Sequence, residues 1–268
     1  MNVERSSPIL ILSLAVFTFI KCIIFSCIGK PQPLRDLCYR ILDFDCQELF
    51  RFVRHVSLRD LFPTHEVQNT VVYAPLDRGA ATMTFDEIVN LSALVQILKP
   101  KIIFEIGTFR GYATRALAHH APSDCKVFTL DLPPEEYGKS ALKQHSADYG
   151  NICIDGEHKP AIGDLYLSDP RVSKRIKQCY GSSDVFDYSP FYGMVDFFFI
   201  DGAHSYDFVR NDTAKALLCL SEKGVVVWHD LKGGFRGLLR FFKQFGRDQV
   251  LYHLSGTSLV VSWPKGRP

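Results

Sequence analysis

The stretch IIFEIGTFRGYATRALA, residues 102–118, decides how the rest of the chain is read. Ile102, Ile103, Phe104 and Ile106 frame Glu105 in a short apolar run, which residues 107–111 then break with glycine and polar side chains. Residues 112–118 carry the alanine-rich spacing of a helix. An apolar run cut by glycine and followed at once by a helix predicts a buried parallel strand and a βα turn. Ligands of open α/β sheets bind at the carboxyl ends of strands, where this turn sits. Glycine there lets the backbone approach a ligand that a larger side chain would block. The dinucleotide fingerprint G-x-G-x-x-G does not fit, because Phe109 and Tyr112 stand where glycines are required and Gly111 is out of register. What remains is E-x-G-x-x-x-G.

Composition narrows the class. The chain has 268 residues, 47% of them hydrophobic, enough for one α/β domain plus an extension. A formal net charge of +2 with scattered Lys and Arg gives no electrostatic footprint for nucleic acid. The eight cysteines include no C-x-x-C pair, which argues against a zinc ribbon or a thioredoxin-type site. They read as reduced thiols, with Cys38 and Cys46 able to pair only in an oxidising compartment.

Three segments follow from the order of the chain: residues 1–30, an N-terminal membrane anchor or signal segment; 31–83, a helical and irregular extension; and 84–268, the main domain. Residues 8–28 are strongly apolar and, at ~1.5 Å per residue, just long enough for a ~30 Å hydrocarbon core. The reading is an uncleaved single-pass anchor, with a cleaved signal peptide as its rival. Lys30, Arg35 and Arg40 follow the segment and only Arg5 precedes it, which puts the catalytic domain on the cytosolic side and leaves a lumenal or secreted form as the alternative.

The main domain alternates. Thr84 with Glu87 forms a capping box for a helix over 85–98, and Pro100 stops it. Strands are predicted at 102–106, 126–130, 176–180, 195–200 and 225–228, with helices at 112–118, 135–149, 205–220 and 234–245, and an insertion-like loop over 151–169. Residues 34–62 read as amphipathic helix and connector. The tail differs: strands at 249–254 and 258–263 flank Gly256 closely enough for an antiparallel hairpin at the sheet edge. The fold class is therefore α/β and Rossmann-like, mostly parallel, with helices on both faces, a C-terminal antiparallel hairpin and an N-terminal hydrophobic helix. Asp131, about 20 residues past Gly111 at the end of the second of these strands, is placed to accept hydrogen bonds from a ribose.

Five blocks together, FEIGTFRGYATRALA, VFTLDLPP, QCYGSSDVFDYSPFYGMVDFFFIDGAHSY, GVVVWHDL and GTSLVV, resemble the class I S-adenosylmethionine-dependent methyltransferases, in particular the macrocin O-methyltransferase-like group. The resemblance covers roughly residues 84–263. It implies that Glu105, Gly107, Thr108 and Gly111 cradle the methionine part of S-adenosyl-L-methionine and that Asp131 holds its ribose. The turn after the third strand often reads Gly-Asp-Ser in relatives. Here Ser182 replaces the acid, and Asp184 is the substitute.

Methyl transfer from a sulfonium is an in-line displacement, so the protein chiefly aligns nucleophile, methyl and sulfur. A hydroxyl nucleophile also needs a base or a metal ion. His204, three residues past Asp201, is the candidate general base. Asp201 and Asp230, with His229 ranked behind them, are the candidate ligands of Mg²⁺ or another divalent cation, as the resemblance to metal-dependent O-methyltransferases implies. The expected activity is O-methylation of a small-molecule, sugar or lipid-linked hydroxyl. The alternative is a catalytically inactive, membrane-tethered module that binds the cofactor. Homo-oligomerisation is left open.

Overall fold

Phe197, Phe198 and Phe199 are fully buried in the middle of one strand, and they divide the molecule into layers. Successive side chains of a strand point to opposite faces, so three buried phenylalanines in a row require cover on both. In the computed structural model, which describes residues 51–66, 83–133, 136, 140, 142, 162–231 and 235–267, both covers are present. All of these residues belong to one unit, Leu49–Leu231 with Phe235–Pro268. The apolar segment 8–28, Cys22, Cys27, Cys38, Cys46, Cys153, the 135–149 helix apart from a few positions and most of the 151–169 loop lie outside the described residues. Among the described residues no helix is long and apolar enough to cross a membrane.

The strands are β1 (Val53–Val56), β2 (Ile102–Ile106), β3 (Lys126–Asp131), β4 (Ile176–Tyr180), β5 (Val195–Ile200), β6 (Leu220–Trp228), β7 (Leu251–Leu254) and β8 (Val260–Ser262). They form a sheet in the order β1-β7-β8-β6-β5-β2-β3-β4. Strand β8 pairs antiparallel with both β6 and β7, and the other pairings are parallel. The helices are α1 (Leu58–Leu61), α2 (Phe85–Leu98), α3 (Tyr112–His120), α4 (Asp164–Leu167), α5 (Tyr206–Cys219) and α6 (Arg236–Phe245). On one face Ile103, Val127, Phe197, Phe199, Val225 and Val261 pack with Leu91, Leu94 and Leu117 of α2 and α3. On the other, Phe104 stacks on Phe198 and meets Tyr188 and Phe191, while Trp228 packs against Phe242 of α6. Each fully buried ring contributes about 2–3 kcal/mol of transfer free energy.

The capping box at Thr84 is present, with Thr84 and Glu87 exchanging bonds. The antiparallel hairpin is present too, but it is not the edge of the sheet: β1 pairs in parallel outside β7. Residues 53–56 were expected to be helix or connector. Four residues hold too little of any period to reveal a strand, and Ser57 ends it by capping α1. The insertion-like loop likewise ends in the helix α4.

Two glycines fix the turn after β2, for reasons inside the protein. Gly107 has φ +98°, and a Cβ there would lie 2.0 Å from the backbone oxygen of Asp201. Its N–H donates to Leu130 O at 2.9 Å, and Asp201 N–H donates to Ile106 O at 2.8 Å, so the ends of β2, β3 and β5 close on one point. Gly111, at φ +80°, has the ring of Tyr166 from α4 at 2.5 Å from the same imagined atom. Both glycines thus also serve packing inside the protein, Gly107 against the backbone of Asp201 and Gly111 against the ring of Tyr166. Gly107→Ala is expected to cost about 3 kcal/mol, strain and overlap combined. Gly256→Ala, at φ +77° with nothing within 4 Å, should cost about 1 kcal/mol. Urea unfolding of both variants checks the contrast, and equal losses would show that the joint at Gly107 is not tight.

Candidate active site

The site grows from the carboxyl ends of β2, β3, β5 and β6. Glu105 is fully buried within β2, and its Oε2 accepts hydrogen bonds from Thr114 Oγ1 of α3 and, at 2.5 Å, from Thr129 Oγ1 of β3. Thr108 Oγ1 lies 2.6 Å from Thr129 Oγ1 and accepts from Gln178 Nε2 at 2.9 Å. Glu105 Oε1 is sealed from solvent without a hydrogen-bond partner among the described residues. Burial, with the Asp201 and Asp131 charges nearby, outweighs the hydroxyl bonds and pushes the Glu105 pKa up to about 8. Asp131 closes the loop from the β3 end: Oδ2 accepts Phe109 N–H at 2.5 Å and Oδ1 accepts Leu132 N–H at 2.7 Å. Burial raises its pKa despite those amides. The candidate cofactor residues of β2 and β3 therefore form one hydrogen-bonded group.

Ser182 and Asp184 stand apart from it, in the turn after β4. Ser182 is buried, and its carbonyl accepts Val185 and Phe186 N–H at 3.1 and 2.9 Å. Asp184 Oδ2 accepts Ser140 Oγ at 2.7 Å. Burial pulls the Asp184 pKa up, but the Ser182 and Ser140 hydroxyls hold it below the usual range. Behind this turn Asp212 of α5 is completely buried, its pKa pushed up to about 7 by burial, with Oδ1 accepting Asn211 Nδ2 at 3.1 Å.

The second half of the site is a charge cluster. Asp201, His229 and Asp230 present ligand atoms that all lie within 4.8 Å of one another. His229 Nδ1 is 2.9 Å from Asp201 Oδ1 and 3.4 Å from Asp230 Oδ2, and its Nε2 is 3.2 Å from Glu87 Oε2. Burial disfavours its cation, yet the carboxylates of Asp201, Asp230 and Glu87 hold its pKa well above the ordinary value. Burial likewise opposes the Glu87 anion, but His229, Ser258 and the Thr84 amide hold that carboxyl well below its usual range. His204 Nε2 lies 2.7 Å from Asp230 Oδ2, and its ring stacks on Phe235 at 4.0 Å between centroids. Asp230 adopts φ +63°, a strained conformation for a residue with a side chain, and such strain gathers at functional sites.

All of Asp201, His204, His229 and Asp230 therefore meet, and His229, ranked last in the sequence, is the centre. Glu87 and Ser258 were missed: Ser258 N–H donates at 2.9 Å to Glu87 Oε1, and the backbone Asp230 N–H donates at 3.2 Å to Ser258 Oγ. The Glu87 signal was visible only as a helix cap, a role that explains the residue without its second one.

Glu105 sets a pH dependence. Its folded pKa of about 8 exceeds the ordinary 4.5, so the folded chain keeps a proton that the unfolded chain has released in between. That contribution is complete below about pH 4.5 and is lost as the pH rises through about 8. In thermal melts Glu105→Gln should flatten the loss of stability between about pH 5 and pH 9, and parallel profiles for the two proteins would contradict the assignment.

Against known proteins, residues 104–231 match the family model described as "Methyltransferase domain". Caffeoyl-CoA O-methyltransferase of Mesembryanthemum crystallinum is 24% identical over 164 residues, covering 59% of this chain and 63% of that enzyme, somewhat less than two thirds of its length. The mouse catechol O-methyltransferase domain-containing protein 1 is 27% identical over 128 residues, 47% of each chain. The structure of cofactor-bound Rv0187 from MTB superposes with TM-score 0.51 at 15% identity, covering 70% of this chain and 83% of that one, and shows the shared fold. Residues 104–231, a little under half of the chain, thus match a methyltransferase domain, and the described residues share the fold of a cofactor-bound protein.

Proposed function

We propose that the chain transfers the methyl group of S-adenosyl-L-methionine to a hydroxyl oxygen of a small-molecule acceptor, beside a divalent cation at Asp201, His229 and Asp230. One observation supports this above the others: Gly107 of the candidate cofactor loop packs directly on the backbone of Asp201, so the donor loop and the charge cluster share a wall. The residues fit the cofactor. The orphaned Oε1 of Glu105 suits an ammonium group, and Asp131, each of whose oxygens already holds one amide, retains acceptor capacity for ribose hydroxyls.

They fit a cation as well. Nδ1 of His229 faces two carboxylates while Glu87 stands at Nε2, the carboxylate–histidine pairing that orients metal-bound imidazoles. A set of one nitrogen and two oxygens favours Mn²⁺ or another transition-row ion over Mg²⁺. A bound divalent ion supplies Lewis acidity that favours the deprotonated hydroxyl. Asp230 holds His204 through Nε2, which directs that ring's Nδ1 to the role of proton acceptor. The acceptor class suggested by the caffeoyl-CoA O-methyltransferase and the catechol O-methyltransferase domain-containing protein among the relatives is an aromatic diol. The apolar segment 8–28 is proposed to anchor the domain to a membrane, and full-length protein should then stay with the membrane fraction in high salt.

Transfer of labelled methyl to a catechol acceptor tests the activity. His204→Ala should lower turnover by about 10²–10⁴-fold with cofactor affinity retained. Glu87→Gln should weaken the metal requirement's affinity by about 10–100-fold. Full activity in excess chelator would remove the ion, and cofactor binding without transfer to any diol would leave the inactive binding module.

A further inference from the structure

A cavity opens at the other end of the sheet from the charge cluster, beneath the amino-terminal ends of β2 and β5. Its volume is ≈ 910 Å³, within the range that takes a small organic ligand. Lys99, Lys101, Lys223 and Arg267 line it, with Asp196 the sole acid of its lining. That acid is already engaged: Oδ2 accepts Lys101 and Ile102 N–H at 2.9 and 3.2 Å, and Oδ1 accepts Ser221 Oγ at 2.8 Å. Among the described residues none of the three lysines forms an ion pair. The guanidinium carbon of Arg267 instead sits over the rings of Phe62 and Trp263, 4.9 and 5.3 Å from their centroids. Phe62, Ile97, Leu98 and Pro100 make most of the remaining wall apolar, with Thr64 and His65 its polar members.

Lys99 carries an independent mark. It ends α2 in the left-handed conformation, φ 48° and ψ 55°, where glycine is the relaxed choice. A lysine there keeps backbone strain and adds a cationic side chain to the cavity lining.

We propose that this cavity binds an organic phosphate, its dianionic group held by Lys99, Lys101 and Lys223 and its apolar body against Phe62, Ile97 and Leu98. Three lysines in one cavity lining suit a group of about two negative charges better than a single carboxylate. The site stands at the opposite strand ends from the methyltransferase residues and does not depend on their assignment.

The test uses the full chain saturated with S-adenosylhomocysteine, titrated calorimetrically with naphthyl phosphate and, in parallel, with naphthol. In separate sedimentation assays it meets phosphatidylcholine vesicles with and without phosphatidylinositol phosphate. Naphthyl phosphate should bind and naphthol should not. Lys223→Gln should weaken binding about tenfold. Lys99→Gly should weaken it similarly while raising the melting temperature, a pair of opposite effects that a purely structural lysine would not give. Lysine-dependent binding of the phosphoinositide vesicles alone identifies a lipid headgroup as the source of the same chemistry. Failure of both probes, or binding unchanged in both lysine variants, overturns the proposal.

Discussion

Three carboxylates from three separate parts of the chain meet at one imidazole. Glu87 comes from the first turn of α2, Asp201 from the end of β5, and Asp230 adjoins His229 at the end of β6. Carboxylates brought this close repel one another strongly in a poorly solvated site, and each also loses hydration. A positive charge at His229, whether its own second proton or a cation at Nδ1, is what makes the cluster tolerable. Removing it would leave three carboxylates to protonate or separate, and Glu87 of α2 would lose its ion pair to the end of β6.

The rest of the site is arranged to keep that cluster where it is. Ser258, from the hairpin segment before β8, bonds Glu87 and supports the strained Asp230 from behind. Gly107 admits the Asp201 backbone so closely that no side chain fits between. The turn after β2 is therefore not merely near the charged site. It is built against it, and a displacement of Asp201 would be felt at once in the turn that follows β2. Glu105 adds a second buried carboxyl on the same side, kept neutral at ordinary pH by burial unless a cation approaches its orphaned oxygen.

Much of this was readable from residues alone because strong local rules applied. The VDFFFI run of β5 has no polar alternation and could only be a strand covered on both faces. The motif glycines marked the right turn, and Asp201, His204, His229 and Asp230 fell at strand ends that the α/β pattern had already placed side by side. Other features were hidden for physical reasons. Strand β1 is too short to show a period. Glu87 looks complete as a capping residue, since nothing local reveals that its other oxygen reaches Ser258, 171 positions away in the chain. The glycine at 107 was legible as a necessity but not as a packing joint, because its neighbour Asp201 comes from a distant strand. His229 was undervalued because a histidine beside an acid suggests a weaker ligand set, whereas the fold surrounds it with carboxylates.

A divalent ion, rather than a second imidazole proton, is proposed to answer those carboxylates during function. Electron spin resonance of Mn²⁺ added to the full chain reads this directly. The account expects one tightly held Mn²⁺ whose pulsed spectrum shows coupling to a single imidazole nitrogen, altered when the histidines carry ¹⁵N. A chain that leaves Mn²⁺ free in solution, with His229 protonated on both nitrogens by NMR, would contradict it.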